Sequence, residues 1–201
     1  MIVKVEPYQA TLDAIQKRMD EMGKGNQMDK VLKKAINEVS KETKSRIYES
    51  TKELYTIKSS QFRKADIKQT SMNAKNGGTV LTVRGATIPI RKGYRNRKNT
   101  QKKGARAMIR MAGGALKEME LKANGRSYKA FVATMKSGHE GIFQRVPGEK
   151  MKNKRREAIK ELVSLSKSKA AEKAYDEKVR TDMDNEISFR LLKHMHAVIG
   201  A

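Results

Sequence analysis

Cysteine is absent from all 201 residues, which removes disulfides, thiolate metal sites and thiol nucleophiles together. Thiol redox chemistry goes with them, and a chain without cysteine fits a reducing compartment. Tryptophan is also missing, aromatic residues make up 5% of the chain and methionine occurs 12 times. The core is therefore expected to rest on Ile, Leu, Val, Ala and Met rather than on large rings. Nowhere do 18 apolar residues run together, so no membrane span is expected. The opening MIVKVEPYQA holds too short an apolar run for a signal peptide, and a soluble protein not exported by a cleavable signal is expected. The patterns HExxH, GxSxG, GxGxxG, the P-loop and the EF-hand are all lacking, so no enzyme activity, cofactor or metal site is expected.

Negative charge is scarce as well. Only 22 Asp and Glu stand against 45 Lys and Arg, a net charge of +23. Such a chain is drawn to polyanions or to acidic protein surfaces.

What is present reads as an α+β chain, mainly an antiparallel sheet with a long early helix packed on it and a long C-terminal helix. One domain is expected over 1–201. Ile2, Val3 and Val5 form a short extended opening, and a helix follows with Leu12, Ile15, Met19 and Met22 on one face until Gly23 and Gly25. Residues 1–27 are read as an N-terminal arm and helix. From Met28 the apolar positions Val31, Leu32, Ala35, Ile36, Val39 and Ile47 repeat with helical spacing, and the helix is expected to reach about Leu54. Ser59 is a candidate N-cap for one helical turn over 61–65. Strands are expected over 66–70 and 79–83, separated by the turn signal Asn76-Gly77-Gly78, and an extended segment over 86–90, where Pro89 argues for an edge.

Residues 91–106 hold eight Lys or Arg and no acid, and are read as a mobile basic loop. Arg91, Lys92, Arg95, Arg97, Lys98, Lys102, Lys103 and Arg106 are its candidate contacts, with Tyr94 as a ring that could stack on a base. Contact with DNA phosphates and a solvated charged loop that orders only in an assembly stand as equal readings. A second basic run covers 150–156. Residues 105–111 and 116–121 are expected to form a strand pair joined at Gly113-Gly114, after which Asn124-Gly125 turns the chain into Tyr128 and the segment from Phe131. Ile159, Leu162, Val163 and Leu165 form an apolar segment of open type. One helix is expected over 169–199, with Ala171, Tyr175, Val179, Met183, Ile187, Leu191, Met195 and Val198 along one face. His194 and His196, two apart on that helix, read as ordinary surface histidines.

Between Phe131 and Arg145, FVATMKSGHEGIFQR alternates, breaks at Gly138-His139-Glu140-Gly141 and resumes, which is a β-hairpin pattern. His139 lacks a serine, cysteine or acidic pair at motif spacing, so a loop-shaping or contact role suits it better than catalysis.

Ala130, Phe131, Ala133, Met135, Gly138, His139, Gly141, Ile142, Phe143 and Arg145 match the hairpin signature of the phage minor tail protein Z family, which this chain resembles over about 28–199. VLKKAINEVSKETKSRIYES, LTVRGATIPI and the short IKELVS add to the resemblance, although Ser164-Leu165-Ser166 lacks the proline usual there. The resemblance implies a non-enzymatic virion protein that completes or caps the head-proximal end of a tail tube and takes part in head-tail joining. It implies a homomeric ring, hexameric to match the tail, meeting the tail tube or tail terminator on one side and neck or connector proteins on the other, with genomic DNA in the lumen. The implied location is the virion tail, and the host cytoplasm during assembly. Gly138, His139, Gly141, Phe143 and Arg145 are then candidate contacts with a neighbouring subunit or partner. The alternative is a basic nucleic-acid-binding protein acting through 91–106 and 150–156.

Overall fold

The computed structural model describes residues 1–70, 72, 78–151 and 156–200. Asn76 and Gly77 of the turn signal, and Lys152, Asn153, Lys154 and Arg155 of the second basic run, lie outside the described residues.

In chain order the elements begin with β1 (Ile2–Val5), α1 (Gln9–Glu21), α2 (Met28–Leu54), β2 (Ile67–Gln69), β3 (Thr79–Val83) and β4 (Thr87–Pro89). A one-turn helix α3 (Ile90–Gly93), β5 (Arg95–Arg97), β6 (Arg106–Met108), β7 (Lys117–Glu118), β8 (Glu120–Ala123) and β9 (Arg126–Lys129) follow. The chain continues through β10 (Phe131–Thr134), β11 (Glu140–Lys150), β12 (Glu157–Glu161), β13 (Val163–Ser166), α4 (Lys167–Lys178) and α5 (Arg180–Ile199). The fold is α+β, and every pairing among the described strands is antiparallel. Where one domain is expected, the chain packs as two compact units, each discontinuous in sequence.

The first unit takes Met1–Thr51, Lys64–Arg84 and Ala171–Ala201. Its sheet has the order β1-β3-β2. Val3, Val5, Leu81, Val83 and Ile67 alternate with exposed or half-exposed neighbours and are buried, as a one-sided sheet requires. In α2, Met28, Val31, Ala35, Ile36, Val39, Thr43 and Ile47 recur every three or four residues and are all buried. The polar face of that stripe is satisfied at Ser40, whose hydroxyl donates to the Ile36 carbonyl at 2.6 Å and is hydrogen-bonded to the Thr79 hydroxyl on β3. That buried pair fixes α2 on the sheet.

The C-terminal segment departs from the single helix expected over 169–199. Its apolar stripe is continuous, but Val179 lies at φ −120°, ψ −35° and separates α4 from α5. The break keeps its ladder, because Val179 N–H donates to Tyr175 O at 2.9 Å and Met183 N–H to Val179 O at 3.2 Å. Val179 itself is buried, so packing of its side chain accompanies the distortion.

The second unit takes Lys52–Arg63 and Gly85–Ala170. Its strands form β10-β11-β12, β5-β6-β7, β8-β9 and β13-β4. Backbone bonds stitch three of these groups at one place: Ala105 N–H to Ala130 O at 2.7 Å, Ala130 N–H to Met119 O at 2.8 Å, and Met119 N–H to Ala105 O at 3.0 Å. Asn124 (φ 51°) and Gly125 (φ 69°) make the two-residue turn between β8 and β9, the left-handed pair that tight hairpins need. Pro89 pairs only with Val163 in a two-stranded ribbon, as an edge position allows. Residues 157–166, left open by sequence, form β12 and β13. Ser59 does not cap a helix; 59–61 form a turn in which Gln61 and Phe62 N–H donate to Lys58 O, and Ser59 accepts from Lys52 Nζ at 3.2 Å.

Candidate assembly and polyanion site

The hairpin is built as its alternation requires. Phe131, Val132, Ala133 and Thr134 on β10 face Phe143, Ile142, Gly141 and Glu140 on β11. Its loop is closed by Gly138 N–H to Met135 O at 2.9 Å and Met135 N–H to His139 O at 2.8 Å, with Gly138 at φ 80°, a conformation glycine adopts without strain. His139 Nε2 lies 2.9 Å from Glu161 Oε1 on β12, and its ring stands edge-on to Phe143 at 6.4 Å between centroids. The Phe143 ring also packs at 6.5 Å from Phe131, over which the Arg145 guanidinium sits at 5.9 Å.

Gly141 and Phe143 are buried, which corrects their reading as direct partner contacts. A Cβ at Gly141 would lie 2.9 Å from two Phe143 ring carbons and 2.8 Å from Glu161 Oε1, so the glycine makes room for the cluster around His139. Gly138 and Arg145 are exposed and the His139 side chain is 33% exposed, so these three remain open to a partner.

The basic segment is not one continuous loop. Its first turn is α3, β5 then pairs with β6 by the register Arg95↔Met108, Asn96↔Ala107 and Arg97↔Arg106, and irregular backbone is confined to Tyr94 and 98–105. Even there Thr100 N–H donates to Lys103 O at 2.8 Å, and Asn99 accepts the Val132 N–H at 2.9 Å. Asn96 Nδ2 donates to the carbonyls of Ile90, Arg91 and Tyr94 at 2.7 to 3.1 Å and so closes the C-terminal end of α3. Tyr94 is fully buried, with burial holding its hydroxyl pKa above the ordinary value, and cannot stack on a base.

Glu140, next to His139, gathers part of the basic set. It accepts from Arg91 Nη2 and pairs with Lys98 Nζ, each at 3.2 Å, while Arg91 also donates to Asn96 Oδ1 at 2.7 Å. Hydrogen bonds from Lys98 and then Arg91 hold the Glu140 carboxyl below the usual range. The hairpin and the basic segment are therefore one site, joined at Glu140 and at Asn99. Of the predicted contacts, Lys92, Arg95, Arg97, Lys102 and Lys103 stay exposed, Lys98 is exposed but paired, Arg91 is half-buried and paired, and Arg106 is half-buried.

A second cluster, in the first unit, escaped the sequence reading. His194 is buried, not a surface residue, and its Nε2 lies 2.9 Å from Glu38 Oε2. Arg190 on α5 pairs with Glu186 at 2.6 Å, Glu42 at 3.2 Å and Glu38 at 3.7 Å. Burial opposes ionisation of Glu38, but the His194 hydrogen bond and the charges of His194, Arg190 and Lys193 outweigh it and hold the carboxyl below its usual range. The signal was present as matched i,i+4 spacings, Glu38 with Glu42 and Arg190 with His194. Among the described residues no group of three His, Cys, Asp or Glu lies where it could hold a metal ion, and no helix is long and apolar enough to cross a membrane.

The class these elements define is an α+β protein of two units carrying a cationic face braced by a hairpin. Set against family models, curated proteins and solved structures, the chain matches none of them.

Proposed function

We propose that this protein is a non-enzymatic structural subunit of a phage tail or phage-tail-like particle, completing the head-proximal end of the tail tube as a homomeric ring and taking part in head-tail joining. The observation that carries the reading is the hairpin signature from Ala130 to Arg145, in which Gly138, His139, Gly141 and Phe143 each have a definite place: turn, hydrogen bond, clearance and packing. A ring needs two different complementary surfaces on each subunit, and in this reading the cationic face beside the hairpin is one of them. The partners of this reading are other copies of the chain, the tail tube or terminator, neck proteins and DNA in the lumen, with the virion tail as location.

Electron microscopy of particles assembled without the protein tests it: tails of abnormal length, or tails unattached to heads, are expected, and normal particles would overturn the proposal. His139→Ala should leave the subunit folded, because a part-exposed hydrogen bond contributes only about 0.5 to 1.5 kcal/mol, yet reduce its incorporation into particles. The charge of +23 supports a second reading, a free nucleic-acid-binding protein. Tight binding in solution with a steep salt dependence and no ring formation would favour it.

A further inference from the structure

Three of the exposed or half-exposed arginines do not share the fate of Arg91. In the β5–β6 register Arg97 lies directly opposite Arg106, and Arg95, two residues along the same face, lies opposite Met108. Together with Met108 and the turn at 114–116 these arginines line an open cleft of 350 Å³. Among the described residues, no acceptor engages the guanidinium of Arg95, Arg97 or Arg106. The acid placed next on that face, Glu118 opposite Arg106, is committed elsewhere: it accepts the Gly104 N–H at 2.6 Å and pairs with Lys129 at 3.6 Å. Arg106 is held by packing, with its Nε sealed from solvent.

Like charges directly across a strand pair oppose folding, and nothing among the described residues neutralises this pair. We propose that the cleft is a phosphoryl-binding site, with Arg95 and Arg97 closing on the group and Arg106 supplying fixed positive charge. Guanidinium forks match phosphoryl oxygens bidentately, and three of them around one cleft suit a tetrahedral group with several acceptor oxygens better than a planar carboxylate with two. The cleft is open enough for a phosphoryl group that carries a substituent, so a nucleic-acid backbone and a free polyphosphate are both chemically admissible sources. The inference does not rest on the tail reading: loss of phosphoryl binding with normal particle incorporation, or the reverse, tells the two apart.

The test uses the full chain and three probes: a short single-stranded oligonucleotide, tripolyphosphate and polyglutamate. Arg95→Gln with Arg97→Gln should weaken binding of the oligonucleotide or tripolyphosphate by roughly tenfold or more, the scale of losing charged hydrogen bonds. For the oligonucleotide, the slope of log K against log salt should become shallower by about 0.7 for each phosphate that the variant no longer neutralises. Lys17→Gln with Lys24→Gln removes the same charge from exposed positions in the other unit and should change binding far less. Arg95→Lys with Arg97→Lys keeps charge and should lose part of the affinity, which covers the case in which the Gln variant fails to fold. A stronger response to the oligonucleotide assigns the site to nucleic-acid backbone, and a stronger response to tripolyphosphate assigns it to a free polyphosphate. Equal effects of the cleft and control variants, or equally tight cleft-dependent binding of polyglutamate, would overturn the proposal.

Discussion

Gly141→Ala probes the hairpin where the structure leaves least room. The new methyl would stand 2.9 Å from Phe143 Cε2 and Cζ and 2.8 Å from Glu161 Oε1, inside van der Waals distance on two sides. Glu161 can rotate, but doing so gives up the 2.9 Å hydrogen bond with His139. The Phe143 ring has less freedom, being 6% exposed and packed against Phe131 and His139. Overpacking of this kind costs about 1 to 3 kcal/mol. The opposing gain from a stiffer unfolded chain is about 0.4 to 1 kcal/mol, so destabilisation should win. The net loss, up to about 2.6 kcal/mol, corresponds for a chain of this length to as much as about 10 °C in Tm, read by circular dichroism. Gly138→Ala is the contrast, because nothing lies within 4 Å of its Cβ position and only the left-handed backbone at φ 80° resists the change. Combining Gly141→Ala with Phe143→Leu removes the ring edge from the clash, so the double variant should be more stable than the two separate losses predict. Gly141→Ala within about 0.5 kcal/mol of the parent, or losses that simply add, would refute the assignment of Gly141 as clearance for the ring.

Other perturbations reach different parts of the molecule. Ser40→Ala should cost about 1 to 3 kcal/mol by stranding the buried Thr79 hydroxyl, whereas Ser40→Ala with Thr79→Val should recover most of that loss, as followed by urea unfolding. Glu140→Gln tests the brace between the hairpin and the basic segment through pH. The folded-state pKa of Glu140 is depressed, so its contribution is fully present above the ordinary carboxylate range and is lost as pH falls through the lower folded value. The parent should therefore lose stability on acidification below about pH 4.5 more steeply than Glu140→Gln, and parallel acid-unfolding curves would contradict the pairing. Arg190→Ala should lower stability by more than a single exposed pair would, since three carboxylates lose one partner.

The parts of this fold that the sequence made legible are those whose signal is local. The bounds of α2 follow from an uninterrupted stripe from Met28 to Ile47, the β10–β11 hairpin follows from alternation around Gly138 and Gly141, and of β8–β9 the turn at Asn124-Gly125 was legible but the strand pair was not. What remained hidden depends on distant partners. Tyr94 sits among cations, and composition at short range made it look solvated; its burial comes from elements that only the folded chain brings around it. The break at Val179 leaves the apolar spacing intact, so periodicity carries no mark of it. His194 meets its partner Glu38 across 156 residues, and the i,i+4 spacings on each helix do not say which helix pairs with which.

The hairpin signature also divides by physical role. Gly141 and Phe143 serve the interior of the subunit, Gly138 sets the turn, and His139 is spent partly on Glu161. Glu140 reaches away from the strand pair to Arg91 and Lys98, which makes the hairpin the fixed wall against which the basic segment is ordered. A substitution in the hairpin therefore acts on the cationic face in two separable ways: through Gly141 and Phe143 by unsettling the strands, and through Glu140 by releasing two cations while the strands stay paired. Variants at Glu140 should raise affinity for polyanions without loss of the fold, whereas variants at Gly141 should lower stability first. Binding and stability moving together in both variants would mean that the wall and the cationic face are not mechanically distinct.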